Sequence, residues 1–456
     1  MKSSADVVIC GAGIAGISAA YHLSVKHGLK DILLVDDRPP LSLTSDKSTE
    51  CYRNWWPGPG EAMVALMNRS IDLMEDLARQ NNNAFHLNRR GYLYLTADPA
   101  NVGNFIKAAS EPPTLGTGEL RVHQGRAGDP PYQPAPAEGF EDQPTGADLI
   151  LEPGLIRKHF PYLSQDVIAA LHVRRAGWFS AQQLGAYLLD QARLHGVRLH
   201  QARVTRVETV KGRVDSVILS DGDIVATRNF VIASGPMLKD VGRLIGVELP
   251  IYCELHLKVA FKDVLGVLPR SAPLLIWSDP QYLPWSPDEQ ALLSEDESTC
   301  SLLEKMPSGV HTRPEGGEGS EILLFLWEYH QGESEPIFPP PLDDKYTDIV
   351  LRGLATMVPG LQGYFHKAPR PVLDGGYYTK TRENRPLIGP LPLDGAFVIG
   401  ALSGYGLMAG CAAGELLAAH LTGNSLPRYA PAFTPDRYND PAYLQLISQW
   451  ENSGQL

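Results

Sequence analysis

Short apolar runs that stop at glycine set the pattern at the start of this chain. Val7-Val8-Ile9-Cys10 is β-branched and apolar and breaks off at Gly11-Ala12-Gly13-Ile14-Ala15-Gly16. Ile17-Ser18-Ala19-Ala20-Tyr21-His22-Leu23 continues with helix formers, and Ile32-Leu33-Leu34-Val35 closes on Asp36. The order is strand, tight turn, helix, strand, acid, one βαβ unit. Further on, Met63, Leu66, Met67, Ile71, Met74 and Leu77 recur at three- and four-residue spacing, which predicts a helix over 61–80 with a core-facing stripe. Residues 100–147 are rich in proline, glycine and polar side chains and are expected to be a surface loop excursion. The pattern then predicts a helix through Leu184, Leu188 and Leu189, strands over 197–199, 204–207 and 214–219, and a strand over 230–233 running into Ser234-Gly235-Pro236. Extended runs such as 322–327, aromatics and proline-rich loops make 250–345 look like a mostly antiparallel sheet. Near the end, 397–400 reads as a strand, Ser403-Gly404-Tyr405-Gly406 as a turn and 407–421 as a helix.

The first glycine cluster carries chemistry. Gly11 permits the turn, Gly13 lets the backbone approach a pyrophosphate, and Gly16 lets helix and sheet pack closely. The helix N-terminus offers unpaired N–H groups and the positive end of its dipole to phosphates. Asp36 follows Gly16 at the distance where a carboxylate accepts hydrogen bonds from a ribose diol, with Asp37 and Arg38 beside it. That acid also disfavours NADP, whose 2′-phosphate it would repel. The second glycine-rich strand-to-helix turn, at 400–408, can aim another set of N–H groups at an anionic ligand.

Composition narrows the picture. A chain of 456 residues exceeds one compact core, so two or three units are expected. Lys plus Arg number 40 against 52 Asp plus Glu, a net charge of −12, which argues against nucleic acid or an anionic membrane as partner. The five cysteines are scattered and form no CxxC, so neither a disulfide framework nor a zinc site is expected, but free thiols in a reducing, cytoplasmic setting. No cleavable signal is read after Met1-Lys2. The uncharged stretch 397–414 is broken by Gly400, Gly404, Gly406 and Gly410 and reads as buried strand, turn and helix rather than a membrane span.

Taken with the block Ser45 to Asn68, the turn Ala233-Ser234-Gly235-Pro236 and Arg385-Pro386-Leu387-Ile388-Gly389-Pro390, these motifs resemble the D-amino-acid oxidase superfamily, in particular its sarcosine oxidase-like branch. The resemblance covers nearly the whole chain apart from 100–147. It implies an α/β architecture: a discontinuous Rossmann-like FAD-binding domain (1–85, 150–236, 370–425), a second α+β substrate domain on a mostly antiparallel sheet (86–149, 237–369), and a tail (426–456). It also implies FAD-dependent oxidation of an amine or amino-acid-like substrate, with oxygen or another electron acceptor. Departures from the branch are specific. Gly376 and Tyr377 stand where those enzymes carry a flavin-linking cysteine, so non-covalent FAD is expected. Cys51 and Asn54 stand at two arginine positions with Arg53 one place off, Met408 replaces a carboxylate-binding lysine, and Leu326 replaces the lysine that promotes oxygen reduction.

The candidate cofactor set is therefore Gly11, Ala12, Gly13, Ile14, Ala15, Gly16, Asp36, Asp37 and Arg38, then Ser45, Lys47, Ser48 and Thr49 after the second strand. Val204, Ala233, Ser234 and Gly235 join it, with Gly400, Ser403, Gly404, Tyr405, Gly406, Leu407 and Met408 from the second turn. Candidate substrate-side residues are Tyr378, which matches the branch's substrate-reaching tyrosine, His330 in the roof, Lys380 and Arg53 as replacement cations, and Trp55 with Trp56 as an aromatic wall for an amine. Each has a plain alternative: Tyr378 and the tryptophans as packing, His330 as structural. Three readings stay open: an amine oxidase, a dehydrogenase passing electrons to another acceptor, and a non-catalytic flavoprotein.

Overall fold

The computed structural model describes residues 2–56, 59–297, 299–317, 319–329 and 332–449. The βαβ unit forms as its pattern dictates. Strand Val7–Cys10, buried at every position, pairs in parallel with Ile32–Asp36 on one side and Phe230–Ile232 on the other. A strand covered on both faces has no solvent side, which is why it reads as an unbroken apolar run. The sheet continues through Val197–Gln201 at one edge and Ala396–Gly400, then Leu387–Pro390, at the other; only the last pairing is antiparallel. Three segments far apart in sequence thus contribute to one six-stranded sheet. The helices Ile14–Tyr21 and Gly406–Thr422 pack against each other closely because Gly414 leaves no Cβ. A methyl there would stand 2.2 Å from Ser18 Oγ.

A nine-stranded sheet forms the second layer. From one edge it runs Val372–Lys380, Tyr252–Lys262, Ile322–Leu326, His311–Glu315, Leu274–Trp277, Tyr92–Thr96, Ala169–Val173, Ala147–Ile150 and Leu120–His123. Two pairings, Leu274–Trp277 with Tyr92–Thr96 and Leu120–His123 with Ala147–Ile150, are parallel, and the rest antiparallel. Two segments grouped with the dinucleotide-binding unit from sequence, Ala169–Val173 and Val372–Lys380, are strands of this larger sheet.

The helix expected over 61–80 is Ala62–Gln80, with Met63, Leu66, Met67, Ile71 and Met74 buried as the stripe requires. The loop expected over 100–147 is corrected in part. It holds the helix Val102–Thr114, which buries Phe105 and Ala109 against the sheet, and the strand Leu120–His123. Pro112 and Pro113 fall in the last turn of that helix, which ends at Thr114. The stretch 397–414 divides between the strand Ala396–Gly400 and the helix Gly406–Thr422. Among the described residues no helix is long and apolar enough to cross a membrane, and the five cysteines are free.

Candidate functional site

A cavity of about 630 Å³ lies at the carboxyl ends of the parallel strands, roofed at one end by the nine-stranded sheet. Its floor is the first glycine turn. Gly11 has φ +117, and a Cβ on it would meet the carbonyl oxygen of Ala233 at 2.4 Å. A Cβ on Gly16 would stand 1.9 Å from the carbonyl oxygen of Gly11, so the helix can begin this close to the turn only as glycine. Asp36 accepts from the Ala12 N–H at 2.7 Å and from the Arg38 N–H at 2.9 Å. Burial raises the pKa of this carboxyl, against the two N–H donors, which lower it. The Ile14 N–H at the helix start donates to Ser45 Oγ at 3.1 Å, which ties the loop after the second strand to the turn.

From the sequence-predicted set, Gly11, Gly13, Ile14, Ala15, Asp36, Asp37, Arg38, Ser45 and Ser48 line the cavity, as do Val204, Ala233, Ser234 and Gly235. Gly400, Ser403, Gly404, Gly406 and Leu407 line it from the second turn, and Tyr378 from the roof. Others do not. Ala12 acts through its backbone on Asp36, and Gly16 packs beneath the turn. Lys47 turns away to Asp46 and Asp374, each at 2.8 Å. The Thr49 carbonyl receives Arg313. Tyr405 is buried edge-on to Trp56 at 5.2 Å with its hydroxyl on the Asn384 carbonyl, and Met408 lies in the apolar core.

The proposed cations and aromatic wall are also placed differently from expectation. Arg53 is buried, its Nε on the Trp55 carbonyl at 3.0 Å and its guanidinium 4.7 Å from the Trp56 ring. Trp55 packs in a cluster with Cys51 and Tyr92 rather than against the cavity. Lys380 is held by Glu254 at 2.6 Å. His330 lies outside the described residues.

Sequence reasoning missed Thr44, whose hydroxyl donates to the Tyr377 carbonyl at 2.9 Å, and the wall formed by Met237, Val241 and Leu244. A signal for that wall was present: Ser234-Gly235-Pro236 ends a strand parallel to Val7–Cys10, so the segment beyond that turn opens on the same crevice. Cys10, the cysteine among the described lining residues, has its thiol pushed up to about 12 by burial and by Asp36 and Asp37. It is therefore neither a thiolate nor a nucleophile at neutral pH.

The lining fits a dinucleotide. A first turn in which Gly11 and Gly16 leave no room for a side chain, a second glycine-bearing turn facing it, an acid at the ribose distance, and Ser234 Oγ, buried without a hydrogen-bond partner among the described residues, form a cradle for phosphate and polar edges. Fold and site together define a dinucleotide-binding α/β protein with a sheet-built roof. The sequence profile of the DAO family, described as FAD dependent oxidoreductase, matches residues 6–420, and the chain belongs to that family. Its cofactor is FAD. It is similar to rat (Rattus norvegicus) mitochondrial dimethylglycine dehydrogenase, 24% identical over 444 residues covering 96% of this chain and 45% of that protein. It is also similar to sarcosine oxidase subunit beta of Rhodobacter capsulatus, 24% identical over 255 residues, 55% of this chain and 54% of that one. The chain thus spans about half the length of these curated relatives. Among solved structures, L-proline dehydrogenase from P. horikoshii superposes with a TM-score of 0.73 at 19% identity, covering 96% of this chain and 99% of that one.

Proposed function

We propose that this protein oxidises a C–N bond of a small amine or N-substituted amino acid, and that it does so without covalent attachment of its flavin. The observation that carries the reading is the continuity of one cavity from Asp36 past the glycine turn to the roof at Tyr378, opposite the turn at 403–406. When bound, FAD supplies a hydride acceptor at the end of its ring system. The chain's own residues do the rest. The first turn and its helix would hold the pyrophosphate, and Asp36 would hold the ribose. The helix Gly406–Thr422 presents its N-terminus at the far end of the cavity, where its dipole favours negative charge. Tyr378, its pKa pushed upward by burial, stands as a neutral phenol at the wall. The roof strand contributes Tyr377, Tyr378 and Thr379 to the described lining, and no carboxylate or imidazole. On this reading the amine is taken in its neutral form and oriented at the wall. The oxidised substrate then hydrolyses to a carbonyl compound and a shorter amine.

Non-covalent FAD is supported by packing at the position where the branch carries a cysteine. A Cβ on Gly376 would stand 2.8 Å from the Lys47 Cβ, and Tyr377 lies beyond it. A second reading concerns the acceptor. Leu326 is buried on its strand, and the nearby Lys258 is committed to the carbonyls of Asp46 and Ser48 at 3.1 Å each. This favours an acceptor other than oxygen. The test is turnover of a panel of secondary and tertiary amines and N-methyl amino acids with a redox dye and, separately, with oxygen. Carbonyl product equal to dye reduced supports the reading. Faster reoxidation in air than by dye would overturn the acceptor assignment, and no carbonyl product from any member would overturn the reaction.

A further inference from the structure

Behind Tyr378 lies a chain of charged groups that the cofactor cradle does not use. The strands Tyr252–Lys262 and Val372–Lys380 pair so that Glu254 stands opposite Tyr378 and His256 opposite Gly376. Strand alternation puts Glu254, His256, Tyr378 and Lys380 on one face. Lys380 donates to Glu254 at 2.6 Å; His256 Nε2 lies 3.3 Å from Glu254, and its Nδ1 lies 3.1 Å from Glu328. The order Lys380, Glu254, His256, Glu328 alternates in sign, and both ring nitrogens of His256 face a carboxylate. Only a doubly protonated ring donates at both nitrogens, so this geometry calls for an imidazolium.

That ring lies flat on Tyr378, with centroids 3.8 Å apart and planes inclined by 17°. Neutral aromatic pairs favour offset or edge-on arrangements over a close sandwich, whereas a cation over a ring face is attracted to it.

We propose that His256 is a positioning residue for Tyr378: clamped at both nitrogens by Glu254 and Glu328, its ring is the platform that sets the plane of the tyrosine at the cavity wall. The proposal rests on the amine-oxidising reading for its kinetic consequences but not for its geometry. Burial would lower the pKa of His256, but Glu328 and Glu254 outweigh it and the pKa is raised. The groups coupled to this ring are Glu254 from its own strand, Glu328 from the segment that follows the strand Ile322–Leu326, His311 from the strand beyond it, and Lys380 from the edge strand, with Tyr378 stacked on its face. Lys380 opposes the charge and the two carboxylates stabilise it. The charged platform therefore persists above the pH at which a free imidazole loses its proton and is lost as pH rises through the folded pKa.

The experiment compares flavin-loaded wild type, His256→Phe, His256→Leu, Tyr378→Leu and the double variant His256→Leu/Tyr378→Leu. The first readout is the visible flavin band, which needs no substrate, and the second is the anaerobic rate of flavin bleaching by N-methylated amines. The account expects His256→Leu to shift the band and slow bleaching by about 10- to 100-fold, the scale of a misplaced contact group. It expects the same substitution to change either readout less than twofold on the Tyr378→Leu background. It also expects the high-pH fall in rate to be absent from His256→Phe, which keeps a flat ring without the charge. An equal effect of His256→Leu with and without Tyr378, or no effect on either readout, overturns the proposal. A band shift that depends on Tyr378 in a protein that no amine bleaches supports the platform and counts against the amine reading instead. Should His256→Leu fail to fold, the comparison of His256→Phe with wild type across pH decides: superimposable profiles overturn it.

Discussion

At the scale of single residues, the site depends on a few positions where chemistry leaves no alternative. Asp36 gathers two backbone N–H groups of its own chain at the point where a ribose diol would add its hydroxyls. Hydrogen bonds to a charged acceptor contribute about 1.5–3 kcal/mol each. Asp36→Ala is therefore expected to weaken FAD binding by about 10- to 100-fold in a flavin-titration assay; unchanged affinity would remove Asp36 from the cradle. Gly16→Ala places a Cβ 1.9 Å from a carbonyl oxygen that cannot retreat. The expected product is colourless protein, and a yellow, stable Gly16→Ala variant would contradict the packing described. These residues were legible in the sequence because a glycine without a side chain and an acid at a fixed distance leave a pattern. Lys47, Thr49 and Met408 were misjudged because proximity along the chain says nothing of which way a side chain turns. Lys47 was drawn to Asp374, a residue more than three hundred positions away.

At the scale of elements, three separated segments complete one sheet, and the tail braces the last of them. Glu383 accepts from Arg437 at 2.8 Å and from the hydroxyls of Tyr438 and Tyr443, while Arg437 also reaches the Pro386 carbonyl. Both charges are almost wholly buried, at 3% and 1% side-chain exposure. Removing one partner leaves the other stranded, a loss of about 3–5 kcal/mol. Arg437→Ala should lower chemical-denaturation stability by that order, and a change under about 1 kcal/mol would show that the tail is dispensable. The helix Ala62–Gln80 was readable from its stripe, but the helix Val102–Thr114 was not. Its two prolines and polar surroundings carry a loop's composition, and only burial of Phe105 and Ala109 against a sheet assembled from distant strands makes it helical. The membership of Val372–Lys380 in the roof sheet was likewise hidden, since its pairing partner lies more than a hundred residues earlier.

At the scale of the whole molecule, buried histidines give the fold a defined response to acid. Burial pushes His22 down to about 4 and His172 down to about 3. A depressed pKa contributes stability above the unfolded value of about 6.5 that is lost as pH falls toward the folded value. Each histidine then adds a slope of about 1.4 kcal/mol per pH unit. The melting temperature should fall steadily from pH 6.5 to pH 4, more shallowly in His172→Gln, and a flat profile would contradict the burial of these rings. His256 works in the opposite direction: its raised pKa gives stability present below about 6.5 and lost as pH rises through the folded value. The central claim, that one cavity joins an FAD cradle to an amine-binding wall, is tested most directly by a visible absorption spectrum of the purified protein. It is recorded before and after acid precipitation, and again under anaerobic conditions with the amine panel. The account predicts a yellow protein whose colour passes entirely into the acid supernatant and whose bound flavin is bleached by at least one amine. A protein that remains colourless after incubation with FAD, or that is yellow and bleached by none of the amines, would contradict it.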